Sequence, residues 1–325
     1  MNREKYAITD PAAGAIGGID IRVMVTGGTG MVGGNLLGAF TALDFEIFAP
    51  NRDELNLLCR REVISYLAEL EVDAVVHCAG LVGGIQANIS SPYDFATQNM
   101  TIGYNVVEAC RQSGIEKLIN LGSSCMYPRE ASNPLQESSI LTGALEPTNE
   151  GYGLAKVAVS RLCRYANQQY GTDFKTLIPC NLFGRYDHFD LEGAHLIPGA
   201  MHRLHLHSQN QEGAMIIWGD GTARREFMYA ADLADFVCFA LENYQSLPTE
   251  TNVGLGRDFT VREYYGMIAE VIGYGGDFEY DLSKPRGMEQ KLVDISSQTE
   301  LGWSPPTQIE EAINLTYRYF IEEWS

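Results

Sequence analysis

Tyr152 and Lys156 stand four residues apart within Gly151-Tyr152-Gly153-Leu154-Ala155-Lys156. On a helix that spacing places two side chains on one face, so the ammonium can sit beside the phenol, lower its pKa and make it a proton donor usable near neutrality. Upstream, Leu121-Gly122-Ser123-Ser124-Cys125-Met126-Tyr127 supplies a hydroxyl, Ser123. Delivered from the end of a strand, that hydroxyl could bind and orient the same substrate oxygen. Alone, a Tyr-x-x-x-Lys spacing usually marks a solvated helix face. Its weight here comes from glycines earlier in the chain.

The β-branched run Ile21-Arg22-Val23-Met24-Val25-Thr26 leads into Gly27-Gly28-Thr29-Gly30-Met31-Val32-Gly33, and residues 34–40 turn helical. Strand, glycine turn and helix together form the context in which backbone amides approach a pyrophosphate. The spacing Gly27-x-x-Gly30-x-x-Gly33 is looser than Gly-x-Gly-x-x-Gly, and a glycine-rich turn without a ligand is its bland alternative. A second strand at 45–49 is followed by Pro50-Asn51-Arg52-Asp53. Arg52 there favours a 2′-phosphorylated cofactor, with a surface ion pair as the alternative; Asp53 reads as a helix or turn cap.

Strands at 74–79, 117–121 and 174–178 alternate with helices at 62–70, 100–112 and 152–170. That alternation predicts an α/β fold with a doubly wound parallel sheet, a Rossmann domain whose ligands collect at the carboxyl ends of the strands. Beyond about residue 180 it gives way to loops with helical pieces at 198–206, 231–242 and 261–272. The expected organisation is a flexible extension over 1–20, a dinucleotide-binding domain over 21–180 with later segments returning to it, and a smaller, discontinuous substrate lobe over 181–325.

The chain has 325 residues and a net charge of −19, which argues against a nucleic-acid surface and against attraction to an anionic membrane. Its seven cysteines include no Cys-x-x-Cys pair, which suits free thiols in a reducing, cytoplasmic setting. No apolar run approaches the roughly eighteen residues of a membrane span. His202, His205 and His207 would scatter around a helix, so no metal site is expected. By spacing alone Cys125 reads as a packed thiol, His195 as structural, and Trp218 as equally able to fill a core.

From about Arg22 to Trp303 the chain resembles the extended short-chain dehydrogenase/reductase family. The likeness rests on the glycine turn together with Arg52-Asp53-Glu54-Leu55-Asn56-Leu57, Val82-Gly83-Gly84-Ile85-Gln86-Ala87-Asn88 and Gly122-Ser123-Ser124-Cys125-Met126-Tyr127-Pro128. It continues through Glu146-Pro147-Thr148-Asn149-Glu150, His195-Leu196-Ile197-Pro198 and Arg225-Glu226-Phe227. The resemblance implies NADPH-dependent 3,5-epimerisation and 4-reduction of a GDP-linked 4-keto sugar, GDP-4-keto-6-deoxy-D-mannose, by a homodimer. Related 3,6-dideoxyhexose or 6-deoxy-heptose substrates are alternatives.

The resemblance further implies that Ser123, Tyr152 and Lys156 form the reductase triad, with Cys125 and His195 as epimerisation base and acid. Gly27, Gly30, Met31, Val32, Gly33 and Ala79 would line NADP(H), with Arg52 on the 2′-phosphate and Lys156 shared. Asn181, Arg203, Trp218, Arg225 and Lys291 would hold the GDP-sugar. A 4-epimerase or 4,6-dehydratase that recycles NAD is a rival enzyme. Dehydratases of this family carry an Asp-Glu pair where this chain has Ser124-Cys125. An NADP(H)-sensing binding protein is the rival outside catalysis.

Overall fold

A computed structural model describes residues 21–191, 193–210, 214–283 and 288–324. The extension expected over 1–20 lies outside the described residues. In order, β1 (Arg22–Thr26), α1 (Met31–Ala42), β2 (Glu46–Phe48), α2 (Arg60–Glu69) and β3 (Ala74–His77) lead into α3 (Ile85–Ser90) and α4 (Pro92–Gln112). β4 (Lys117–Leu121), α5 (Glu150–Tyr170) and β5 (Lys175–Pro179) follow. The sequence pattern misses α3 and begins α4 eight residues late. Pro92 sits in the first turn of α4, where its missing N–H costs no helical hydrogen bond.

β1 to β5 are joined by β10 (Glu250–Val253) in a six-stranded parallel sheet of order β10-β5-β4-β3-β1-β2. Side chains alternate between its faces with period two. Val23, Val25, Ala74, Val76, Ile119 and Leu121 face a core with Leu36 and Phe40 of α1, whereas Met24, Val75 and Leu118 face one with α2, α4 and α5. Helices on both faces bury β1, β3 and β4 almost completely, which is why those strands read as apolar runs, whereas the edge strand β2 stays half-exposed. The strand order reverses between β1 and β3, so a crevice opens at their carboxyl ends.

The second half is richer in strands than its sequence pattern suggests, because its strands are too short to show a period. β6 (Asn181–Phe183), α6 (Leu196–Asn210), β7 (Met215–Trp218), β8 (Arg224–Arg225), β9 (Phe227–Tyr229) and α7 (Ala230–Glu242) precede β10. After it come β11 (Phe259–Thr260), α8 (Val261–Ile272), β12 (Phe278–Asp281), β13 (Gln290–Lys291), α9 (Ser296–Glu300) and α10 (Ile309–Glu323). β8 is central between antiparallel β11 and parallel β13. A separate aromatic-rich core joins α6, α8 and α10 through Phe183, Phe189, Phe227, Tyr264 and Phe320. α7 instead packs Phe236 and Val237 into the core of the large sheet.

Candidate active site

The crevice between β1 and β3 is narrow by construction. A Cβ on Gly27, whose φ is +75°, would lie 2.8 Å from the Cα and N of Ala79, and one on Gly33 would strike the Gly27 carbonyl. Only glycine allows this closeness of strand, turn and helix. Gly30 caps α1 without a side-chain hydrogen bond, and no acidic residue occupies the first turn, so the helix N-terminus presents N–H groups suited to an anion. Met31 and Val32 form that first turn.

At the end of β2 the turn is capped by Asn51, not Asp53: Asn51 Oδ1 accepts from Asp53 N (2.8 Å) and Glu54 N (3.2 Å). An asparagine two residues earlier satisfies those amides, which leaves Asp53 no capping role. Arg52 is exposed and forms no ion pair among the described residues. These features fit a 2′-phosphorylated dinucleotide.

Ser123 lies two residues beyond the end of β4, and its Oγ accepts from Cys125 N at 3.2 Å, which turns the chain there. α5 approaches this turn closely; a Cβ on Gly153 would sit 2.5 Å from the Cys125 carbonyl. Lys156 is buried, donates to the Leu121 carbonyl at 2.8 Å, and has its Nζ 5.7 Å from the Tyr152 ring centre. Tyr152 hydrogen-bonds Ser123.

The electrostatics depart from the sequence expectation. Burial, followed by the neighbouring Cys125, raises the Tyr152 pKa, and the Ser123 hydrogen bond only partly offsets this. Lys156 does not acidify the phenol here. Its own pKa is pulled down to about 8, chiefly by burial, against the attraction of Cys78 and Cys125. A phenol held neutral still serves as a donor, because donation needs its proton in place.

Cys125 Sγ accepts from Asn149 Nδ2 at 3.1 Å and lies 3.6 Å from Lys291 Nζ. His195 stands just before α6 with its surface open to solvent; crowding of its ring by surrounding protein, then His188 and Lys291, lower its pKa. Ser123, Cys125, Tyr152 and Lys156 therefore converge, and Lys291, in contact with Cys125, also acts on His195. Asn149 was not singled out, although its place three residues before Tyr152 puts it one helical turn away.

The five expected GDP-sugar contacts are all carried by elements of the second lobe, but they are not equivalent. Asn181 donates to Glu226 O (2.9 Å), Arg203 donates to Tyr265 Oη (2.7 Å), and Arg225 pairs in register with Lys291. Trp218 is 66% exposed at the end of β7, so it is not a core filler. The three histidines are occupied with Phe189 O, Tyr317 Oη and Arg203 O.

A dinucleotide crevice at the switch point, with a Ser-Tyr-Lys set at the end of β4, defines a nicotinamide-dependent enzyme of the short-chain type. Residues 23–256 match the NAD dependent epimerase/dehydratase family, and the chain belongs to it. It is 45% identical over 304 residues to the GDP-L-colitose synthase of Yersinia pseudotuberculosis, covering 93% of this chain and 99% of that one. It is also 45% identical over 300 residues to the GDP-L-fucose synthase of Azorhizobium caulinodans, covering 92% and 96%. Among solved structures it is similar to MlghC, the GDP-mannoheptose C4 reductase from Campylobacter jejuni with NADP bound. That likeness has a TM-score of 0.83 at 28% identity and covers 93% of this chain and 98% of that one.

Arg52→Ala is expected to weaken NADPH binding about 10- to 100-fold while leaving NADH binding unchanged, since one charge-assisted contact is worth roughly 1.5–3 kcal/mol. Fluorescence titration with both cofactors checks this; equal losses for the two would remove Arg52 from the 2′-phosphate.

Proposed function

We propose that the chain is an NADPH-dependent 3,5-epimerase and 4-reductase that converts GDP-4-keto-6-deoxy-D-mannose to GDP-L-fucose. The observation that carries this reading is the Cys125 sulfur, seated beside the Ser123–Tyr152 hydroxyl pair at the end of β4. A ketone at C4 acidifies the hydrogens at C3 and C5. Cys125 removes such a hydrogen as a proton, and the electron pair passes to the C4 oxygen, held by Tyr152 and Ser123. His195 returns a proton to the opposite face, which inverts the centre. NADPH supplies the hydride for C4, and Tyr152 gives its proton to the C4 oxygen. Asn181, Arg203, Trp218 and Arg225 hold the nucleotide.

A second reading takes a GDP-4-keto-3,6-dideoxyhexose as substrate. It is favoured by the colitose synthase likeness, which equals the fucose synthase likeness in identity. Supplying both ketones with NADPH and identifying the products by NMR decides between them. Stoichiometric NADPH consumption separates either from an enzyme that recycles its cofactor.

Two copies pair through α4 and α5, whose outer faces leave Tyr93, Tyr104, Leu154 and Tyr165 between 39% and 76% exposed. Sedimentation is expected to give a dimer, and Leu154→Glu a monomer; a wild-type monomer would remove the pairing. Among the described residues no helix is long and apolar enough to cross a membrane. With free cysteines and a need for NADPH, this supports a cytoplasmic location, which cell fractionation tests.

Tyr152→Phe is expected to lower reduction by about 10²–10⁴-fold, the usual contribution of a positioned proton donor. Cys125→Ser should chiefly stop exchange of the C3 and C5 hydrogens with solvent. NADPH oxidation and deuterium exchange followed by NMR check both, and undiminished exchange in the serine variant would take the base role from Cys125.

Lys156 is an ammonium below pH about 8 and an amine above it. Raising the pH through that value removes the positive charge nearest the phenolate that forms as Tyr152 gives up its proton, so kcat/KM, which reports the free enzyme, should fall on that limb. A profile flat to pH 10 would contradict the assignment.

A further inference from the structure

The family resemblance gives Lys291 to the GDP-sugar, yet its surroundings point elsewhere. Its ammonium is 3.6 Å from Cys125 Sγ, and Asn149 Nδ2 reaches the same sulfur at 3.1 Å. Among the described residues Lys291 forms no ion pair with a carboxylate, in a chain whose net charge is −19. Two donors therefore converge on one sulfur. A neutral thiol is a weak acceptor, whereas a thiolate satisfies both.

The placement is fixed by the backbone. The Lys291 carbonyl accepts from Glu226 N (3.1 Å), Leu292 N donates to Asn133 Oδ1 (2.8 Å), and Leu135 N donates to Leu292 O (2.8 Å). β13 is thereby tied to the β4–α5 connection that carries Cys125. The Asn149 Oδ1 is buried without a partner, so the contact of its amide with the sulfur is the polar contact that orients the side chain.

We propose that Lys291 and Asn149 are positioning residues of the epimerisation site, whose ammonium and amide hold the Cys125 sulfur as the anion that takes the C3 or C5 proton. This rests on the reading of Cys125 as the base. When the S–H bond forms, the C–H electron pair moves to the C4 oxygen, so negative charge passes from the sulfur beside Lys291 to the oxygen beside Ser123 and Tyr152. Tyr152 and Lys156 face the sulfur from α5, and Lys156 adds a second positive charge. The Lys291 charge also opposes protonation of His195, so it favours release of the imidazolium proton as it favours the sulfur anion.

The test is the rate of Cys125 carbamidomethylation by iodoacetamide at pH 7 in the free full-length enzyme, read by peptide mass spectrometry with Cys125→Ser as the control. Lys291→Met should slow it about tenfold and Lys291→Arg should largely restore it, because the thiolate is the species alkylated and a neighbouring positive charge favours it. Solvent exchange at C3 and C5 should fall in the same order. If Lys291→Met does not fold, Asn149→Ala reads the same sulfur, with alkylation about threefold slower for one lost hydrogen bond. Unchanged alkylation in these variants, with only KM raised, returns Lys291 to the nucleotide and overturns the inference. Variants that follow the alkylation order while the wild-type enzyme shows no C3 or C5 exchange would sink the functional reading and leave the charge pairing supported.

Discussion

A buried charge is costly unless a polar partner takes its hydrogens, and Lys156 is buried under the active-site end of the large sheet. Its partner is the carbonyl of Leu121, the last residue of β4. That bond docks α5 on the strand end, and the rest of the site follows from the docking. Ser123 lies two residues beyond Leu121, Tyr152 lies one turn before Lys156, and the two hydroxyls meet. Gly153 lets the helix come close enough, because a side chain there would collide with the Cys125 carbonyl. The burial that costs the lysine part of its charge also keeps the phenol protonated.

The second constraint joins the two cores across the cleft. Glu226, fully buried between β8 and β9, accepts from Val293 N and Gly256 N at 2.8 Å each, and burial raises its pKa to about 7. Its carboxylate fixes the chain just after β10 and the residue two beyond Lys291. Arg225 and Lys291 are thus held in register on one small sheet, with the lysine turned to the sulfur of the other domain. On the proposed reading, proton transfer and nucleotide recognition share this scaffold.

Much of the nucleotide domain was legible in the sequence, because its strands are buried on both faces and its helices keep a regular period. β4 falls at residues 117–121 as the apolar run suggests, and in the second lobe the helices were legible too, α8 lying at 261–272. The latter is framed by a Thr260–Glu263 capping box and by Gly273 in the left-handed region. The strands of the second lobe were not legible in this way: β8, β11 and β13 have two residues each, too few for any alternation. Tyr152 and Lys156 could be paired by spacing, but the sign of the phenol's shift could not, since it depends on burial and not on separation along the helix. Lys291 lies 166 residues from Cys125, and only the fold brings the two together.

Ser123→Ala, assayed for both C5-hydrogen exchange and hydride transfer to C4, tests most directly whether one oxygen site serves the two chemistries. Removing a donor from an oxygen that becomes negative in each transition state should lower both rates together, by about 10²–10³-fold. Loss of one rate with the other intact would contradict a shared site.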